Sequence, residues 1–297
     1  MKKNAAIIGY GNIGKYVLEA ILASSDFQVA GIVRRDAANI PEGLKNYSVV
    51  DHISKLKNVD VAIICSPTRN VEEQARAILA MGVNTVDSYD IHETIWDLKQ
   101  TLSPIAVTNS AVAIIAAGWD PGTDSVIRTM MEAMAPKGIT YTNFGPGMSM
   151  GHSTAAKTIK GVRNALSMTI PLGTGIHRRM LYIELEDGAN SEKVEHLLKN
   201  DAYFVNDETH VAFVDDISNY QDMGHGVNMV RKGVSGRTQN QIMEFNMRID
   251  NPALTAQVLL SVARASFKQQ PGCYTMIEIP VVDLLEGEKE YWIKKLV

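Results

Sequence analysis

The sequence predicts an α/β protein: a Rossmann-type doubly wound parallel sheet joined to a second α+β domain built on a mainly antiparallel sheet. Three observations predict it. Short apolar runs alternate with segments of helical spacing over roughly the first 120 residues. A glycine triplet stands between the first apolar run and the first helical segment. Past about Pro136 the pattern changes to β-type runs with one helix among them.

Asn4 to Gly9 reads as a short strand, and Asn12 to Ala23 carries Ile13, Val17, Ala20, Ile21 and Ala23 at helical spacing. Phe27 to Val33 is a second strand. Val59 to Cys65 is a third, and its nearly unbroken apolar run suits a strand covered on both faces. Val71 to Met81 predicts a helix closed by Gly82, followed by a strand at Val83 to Asp87, a helix at Ile91 to Leu102 and a strand at Ile105 to Val107. In the second half, Ile139 to Phe144, Ala165 to Ile170, Arg179 to Glu186, His210 to Asp215 and Gln241 to Ile249 read as strands, with a helix at Ser191 to Leu198. Pro252 to Phe267 returns to helical spacing, with Pro252 suited to a first turn, and is expected to rejoin the first domain. The expected division is therefore 1–120 with about 250–297 for the dinucleotide, and about 121–249 for substrate binding and dimerisation.

The chain has 297 residues, 45% hydrophobic and 21% charged, which excludes a disordered chain or a coiled coil. Its formal charge of -4 shows no basic excess, so no nucleic-acid partner is expected. Cys65 and Cys273 cannot make a disulfide framework and read as reduced thiols of a cytoplasmic protein. Met1-Lys2-Lys3 precedes an apolar run too short for a signal peptide, and no run is long enough to span a membrane.

Gly9-Tyr10-Gly11-Asn12-Ile13-Gly14 is G-x-G-x-x-G between strand and helix. Gly9 permits the tight turn, Gly11 lets backbone approach a pyrophosphate, and Gly14 lets the helix sit close to the strand. The helix N-terminus then offers N–H groups to the anion. An NAD enzyme usually ends the second strand with Asp or Glu for the ribose hydroxyls. This chain has Arg34-Arg35 there, suited to a 2′-phosphate and to stacking on adenine, so NADP(H) is expected; Asp36 is the competing ribose acceptor. Ser66-Pro67-Thr68-Arg69 lies past the third strand, over the expected cofactor crevice. Cys65 before it has no evident His partner and reads as a packing thiol.

Asp90 and Asp120 stand at the ends of parallel strands, where ligands of open α/β sheets bind. An aspartate there can hold an ammonium and stabilise a developing iminium; the competing reading of each is a helix N-cap. Ser88 and Tyr89 beside the first, and Gly118, Trp119 and Pro121 beside the second, are expected to line the cofactor together with Asp120. In Phe144-Gly145-Pro146-Gly147-Met148-Ser149-Met150-Gly151-His152 the turn-forming residues leave backbone N–H groups for a carboxylate, and His152 is either an acid/base or a structural histidine. His177-Arg178-Arg179 and Gly224-His225-Gly226 add cations or donors for a second carboxylate. No metal-ligand spacing appears, so no metal is expected.

GYGNIG, SYDIH at 88–92, GWDPG at 118–122 and NFGPGMSMGHS at 143–153 resemble the meso-diaminopimelate dehydrogenase family from Gly9 to about Asn251. The resemblance implies a cytoplasmic, NADP-dependent homodimer of lysine and cell-wall metabolism. It would deaminate the D-centre of meso-2,6-diaminopimelate to L-2-amino-6-oxopimelate and ammonia, reversibly. It further implies that Asp90 and Asp120 hold the reacting amino group and that Phe144 walls the pocket, where some members carry Trp. Met150 and Gly151 would offer backbone donors to the reacting carboxylate, and Thr169, Arg179, His225 and Asn251 would hold the distal L-centre, with Arg178 the competitor of Arg179. The general base stays open among Asp90, Asp120, His152 and a water. The stretch from Thr169 to His177 is short where some members carry an insertion, which bears on breadth toward other D-amino acids. The rivals are a broader D-amino acid dehydrogenase, another two-domain NADP enzyme such as a dihydrodipicolinate reductase-like protein, and a non-catalytic NADPH-binding sensor.

Overall fold

Burial on both faces explains the composition of the central strands. The computed structural model describes residues 2–221 and 224–297, so Met1 of the basic start lies outside the described residues. The chain divides into two compact units, Met1–Thr129 with Pro252–Val297, and Met130–Asn251.

The first unit contains β1 (Lys3–Ile8), α1 (Asn12–Ala23), β2 (Phe27–Val33), β3 (Val49–Val50), β4 (Val61–Ile64), α2 (Val71–Leu79), β5 (Asn84–Asp87), α3 (Ile95–Thr108), β6 (Val112–Ile114) and the start of α4 (Thr123–Met134). The second contains β7 (Lys137–Phe144), β8 (Gly147–Met148), α5 (Met150–Lys157), β9 (Val162–Gly173), β10 (Ile176–Leu185), α6 (Ser191–Lys199), β11 (Glu208–Phe213), β12 (Gly224–Ser235) and β13 (Thr238–Asp250). The chain then returns to the first unit with α7 (Asn251–Ser266), β14 (Gly272–Tyr274) and α8 (Lys289–Leu296).

Among the described residues, the first unit forms one sheet ordered β14-β6-β5-β4-β1-β2-β3, with every pair parallel. The order reverses between β1 and β4, so the crevice past their carboxyl ends is the place where such a sheet takes a ligand. Each residue of β4 is buried. One face of the sheet packs on Val17, Leu18 and Ile21 of α1 and on the apolar side of α7; the other packs on Ala75, Ile78 and Leu79 of α2 and on Leu98, Leu102 and Ala106 of α3. Each buried Val, Leu or Ile contributes about 1.5–3 kcal/mol.

Two sequence expectations fail in this unit. Ile105 to Val107 is not a strand but the last turn of α3, which runs through Pro104 because Leu98, Leu102 and Ala106 keep one buried face across it. The strand is Val112–Ile114, further along the same apolar stretch. The first break between units falls within α4, not at residue 120, because the end of that helix serves the second unit: Arg231 of β12 donates from Nε to the Ala135 carbonyl at 2.8 Å.

The second unit has a sheet β11-β10-β9-β8 and an antiparallel sheet β13-β12-β7. In the first of these, β10 and β11 pair in parallel, joined through α6, while the remaining pairs are antiparallel. Phe204, Leu181, Ile183, Val194 and Leu198 fill the core between α6 and this sheet. The central strand β12 escapes a hydropathy reading. Its glycines are there for close approach, since a Cβ on Gly226 would lie 2.4 Å from the Met247 oxygen, and it buries a charge, Arg231, to 1% exposure. Arg231 Nη1 donates to Thr140 Oγ1 at 2.8 Å and pairs with Glu132. Replacing it by Met keeps volume but strands the Ala135 carbonyl and the Thr140 hydroxyl. Arg231→Met should cost about 2–4 kcal/mol of unfolding free energy, read from urea denaturation; a loss under about 0.5 kcal/mol would show that these bonds contribute little.

Candidate functional site

The glycine turn follows β1 directly. Gly9 has φ +96°, and its N–H donates to the Val33 carbonyl at 2.9 Å. A Cβ on Gly9 would meet the Cys65 backbone at 3.1 Å, and one on Gly14 would lie 2.2 Å from the Gly9 oxygen, so both positions exclude a side chain. Above Gly11 a Cβ would meet nothing within 4 Å. Gly11 is also the N-cap of α1 with no side-chain cap, and the first bond of the helix is Lys15 N–H to the Gly11 carbonyl. The N–H groups of Asn12, Ile13 and Gly14 therefore precede the helical ladder. This open cradle of backbone donors fits a dinucleotide pyrophosphate. Past β2, Arg35 is exposed and Arg34 half-buried, with Arg34 Nη1 on the Asn39 carbonyl at 3.1 Å. Asp36 Oδ1 instead accepts from the Asn39 N–H at 3.1 Å, closing the same turn. The guanidinium groups, not this carboxylate, suit the outer end of such a ligand. Tyr10 packs against the core, and its hydroxyl is raised by burial first and by Tyr47 next.

After β4, Cys65 keeps Sγ 3.6 Å from the Ile63 carbonyl, and burial pushes its thiol up, away from a nucleophilic thiolate. Ser66 donates to Gln74, and Thr68 Oγ1 donates to Asp90 Oδ1 at 2.5 Å. Asp90 is exposed and caps no helix: the 3-10 turn His92–Thr94 has Ile91 at its N-cap, and α3 has Thr94. Tyr89 is turned inward with its hydroxyl 2.7 Å from Thr94 Oγ1.

Asp120 lies three residues before α4, in a loop closed on itself. The Gly118 N–H donates to the Pro121 carbonyl at 2.9 Å, the Asp124 N–H to Trp119 at 3.0 Å, and a Cβ on Gly122 would lie 2.0 Å from the Gly118 oxygen. The Asp120–Pro121 bond is cis. Burial first, then the neighbouring Asp124, pushes the Asp120 carboxyl up to about 8, and Asp90 adds to the rise. Asp120 is hydrogen-bonded to Asp124, a contact two ionised carboxylates cannot make. The proton belongs on Asp120, because Asp124 already accepts from Arg128 at 2.6 Å and from Ser125 at 3.1 Å.

In the second unit, the Gly145–Pro146 peptide is cis, and a Cβ on Gly145 or Gly147 would strike the Thr169 or Gly224 oxygen, at 2.3 and 2.1 Å. The loop is thereby pressed between β9 and β12. Ser149 follows as N-cap of α5, but its Oγ pairs with His152 Nδ1 at 2.8 Å and leaves the helix without a side-chain cap. The N–H groups of Met150 and Gly151 precede the first helical bond, Ser153 to Ser149. His152 sits edge-on to the Tyr203 and Phe204 rings; burial, then Arg179, pushes it down to about 4, so it is a neutral imidazole. Register places Arg179 opposite Thr169 and Thr169 opposite Gly147. Arg179 donates to Thr169 Oγ1 and, from Nε, to Asp207 Oδ2 at 2.6 Å. Arg178 points the other way, into a two-bond contact with exposed Glu208 at 2.9 and 3.2 Å. His225 and Asn251 are buried.

The sequence reading needs one correction here. His177 is no cation: its Nε2 accepts the Phe144 N–H at 2.7 Å, its ring lies 5.7 Å from the Phe144 ring, and burial, then Arg179, lowers it. Asp124 with Arg128 was detectable, as an acid and a base four apart behind Asp120. Asp207 was not, because it meets Arg179 across 28 residues of chain. Among the described residues no group of three His, Cys, Asp or Glu could hold a metal ion, and no helix is long and apolar enough to cross a membrane.

Residues 118–178 and 173–251 match the family described as diaminopimelic acid dehydrogenase C-terminal domain, and residues 3–89 match the oxidoreductase family with NAD-binding Rossmann fold. The chain is 66% identical to the meso-diaminopimelate D-dehydrogenase of Bacteroides fragilis over 100% of both chains. It is similar to the C. glutamicum DAP dehydrogenase in complex with DAP, with TM-score 0.91, 28% identity, and 100% of this chain and 99% of that one covered. It is also similar to an engineered D-amino acid dehydrogenase bound to NADP+, with TM-score 0.88 and 27% identity over 100% of both chains.

The raised Asp120 carboxyl has a stability consequence of fixed sign. Its folded value of about 8 lies above the ordinary 3.8, so its contribution is complete below about pH 4 and is lost as pH rises through about 8. Asp120→Asn carries no such loss. The fall in Tm between pH 5.5 and 8.5 should be smaller in Asp120→Asn than in the parent; equal falls would show that residue 120 is not held protonated.

Proposed function

The chain belongs to the meso-diaminopimelate D-dehydrogenase family, and on that premise we propose that it oxidatively deaminates the D-centre of meso-2,6-diaminopimelate, with NADP+ as oxidant, to L-2-amino-6-oxopimelate and ammonia. The observation that carries this reading is the Asp120–Asp124 carboxyl pair, near Asp90 and past the ends of parallel strands, in the same unit as the open glycine cradle. A sensor that only bound a dinucleotide would have no use for a buried carboxyl held near neutrality.

Asp90 and Asp120 hold the reacting ammonium. Its charge favours the ionised form of Asp120, which thereby takes a proton from the substrate nitrogen. The bound nicotinamide supplies the chemistry of hydride acceptance from Cα. Asp120 passes that proton to solvent, so that two carboxylates stabilise the resulting iminium; Asp120 then takes a proton from the water that adds to the iminium and returns it to the nitrogen as ammonia leaves. Asp120 suits this role better than the alternatives: His152 is pushed down to about 4, and Asp90 is exposed and bonded to Thr68. Met150 and Gly151 N–H groups receive the reacting carboxylate, and Phe144, held by His177, walls the pocket. Thr169, Arg179, His225 and Asn251 receive the distal end.

Arg34 and Arg35 select NADP(H) through the 2′-phosphate. The reading extends to a cytoplasmic homodimer formed through the second unit. Exposed Ile139 and Ile242 flank Lys232 across the sheet β13-β12-β7, which supports a face covered by another copy.

Incubation with meso-diaminopimelate and NADP+ should raise absorbance of the reduced nicotinamide, and the L,L isomer should give a kcat/KM lower by on the order of 100-fold or more. Comparable values on the two isomers would overturn the assignment of ends. Asp90→Asn and Asp120→Asn should each fold and lose at least on the order of 100-fold in kcat, since Asn keeps the shape and removes the charge. Separately, Arg34→Asp with Arg35→Ala should weaken NADPH by about 2–4 kcal/mol in a fluorescence titration. Unchanged affinity would show that the arginines do not read the phosphate.

A further inference from the structure

We propose that Asp87 is a positioning residue: through one carboxylate oxygen it ties the turn that carries Asp90 to the loop that carries Asp120, and so sets where those two carboxyl groups stand. The inference rests on the reading that Asp90 and Asp120 hold the reacting amine.

Asp87 is the last residue of β5 and is fully buried. Its Oδ1 accepts two backbone N–H groups, from Tyr89 at 3.0 Å and from Ala116 at 3.2 Å. Tyr89 directly precedes Asp90, and Ala116 begins the turn that leads through Gly118 and Trp119 to Asp120. Its backbone carbonyl adds a third tie, accepting the Ala117 N–H at 2.8 Å. The two segments also touch directly, since a Cβ on Gly118 would lie 3.4 Å from the Ser88 Cβ.

The geometry held in this way is not one the chain adopts unaided. Ala116 has φ +52°, the left-handed region that an L-residue with a Cβ avoids. Asp87 grips the chain on both sides of that residue's Cα. Its other oxygen, Oδ2, is buried without a hydrogen-bond partner. A carboxyl group kept in such a place is not there for a charge contact with a ligand. What it supplies is a short, rigid stem with one oxygen able to receive two N–H groups from different segments. Burial pushes this carboxyl up to about 7. The titratable group that feels it is Cys273 on β14, which also feels Lys99 and Glu278; burial pushes that thiol up to about 12, clear of the range below.

The test uses the full chain. Asp87→Asn keeps an acceptor oxygen on the same stem, and Asp87→Ala removes it. Asp87→Ala should lower kcat/KM for meso-diaminopimelate by on the order of tenfold or more, a larger factor than that by which it changes the NADPH dissociation constant, because the glycine turn and Arg34-Arg35 are untouched. Asp87→Asn should stay within about threefold of the parent on both measures. A folded Asp87→Ala that keeps its kcat/KM, or an Asp87→Asn as damaged as Asp87→Ala, would overturn the positioning role. An independent readout needs neither variant to be active. In the substrate-free protein, the Tyr89 and Ala116 amide proton shifts should move together with one apparent pKa near 7, and in Asp87→Asn neither should move there. Amides that titrate separately, or not at all, would overturn the link whatever the activity. If the parent protein fails to oxidise meso-diaminopimelate while the amides still titrate as one, the link stands and the functional reading falls.

Discussion

The Gly9 carbonyl oxygen lies 2.2 Å from where a Cβ of residue 14 would be, and the first unit depends on that approach. It lets α1 begin hard against the end of β1, with its first N–H groups facing the space over Gly11. The approach also brings Gly9 against the backbone of Cys65, at the end of the adjacent parallel strand β4. The strands β1, β4 and β5 therefore end together. Each chain segment leaving them, at Tyr10, Ser66 and Ser88, starts from a position fixed by backbone packing. The same device recurs at Gly122 against Gly118 and at Gly145 and Gly147 against β9 and β12. Missing side chains, more than present ones, set the shape of the loops.

Charge is managed with equal economy. In the first unit, Asp120 shares a proton with Asp124, and Arg128 and Ser125 hold Asp124 from its other side. In the second, Arg179 is balanced by Asp207, and the neighbouring His152 is kept neutral, with Arg179 itself contributing to that. An unpaired ion so far out of water would cost several kcal/mol. The pairings explain how ionisable groups can sit at these depths without unfolding their surroundings.

Much of this was legible in the sequence where local rules and packing agree. In the β1–α1–β2 unit, α1 and β2 were readable to the residue and β1 to within one, because glycine spacing, apolar period and strand length say the same thing. The reading failed where packing overrides local signals. Pro104 and the β-branched Ile105 and Val107 argue for a helix end, yet the buried face of α3 carries the helix past them. Gly226, Gly233 and Arg231 argue against a strand, yet β12 is the central strand of its sheet. The two acids Asp90 and Asp120 could be named from their motifs. Asp87 and Asp207 could not, because what marks each is a contact with a distant segment, to Ala116 in one case and Arg179 in the other.

The pairings also constrain what a ligand can do. A zwitterion brings both an ammonium and carboxylates, and binding must offset the water each one loses. Where the protein's own groups are already paired, the ligand exchanges partners instead of meeting bare charge. An ammonium beside Asp90 and Asp120 displaces the proton held between Asp120 and Asp124, so net charge at that point stays nearly constant. A carboxylate reaching Arg179 competes with Asp207 for a guanidinium that Thr169 continues to orient. Exchange of this kind lowers gross affinity, since a partner must be released for each one gained. It gains discrimination, because a ligand with the wrong group at either place finds a pairing already made and gains nothing there. A neutral group in place of the ammonium leaves the Asp120 proton where it was, and a ligand without a carboxylate leaves Arg179 with Asp207. In each unit, then, discrimination follows from groups kept satisfied in the absence of a ligand.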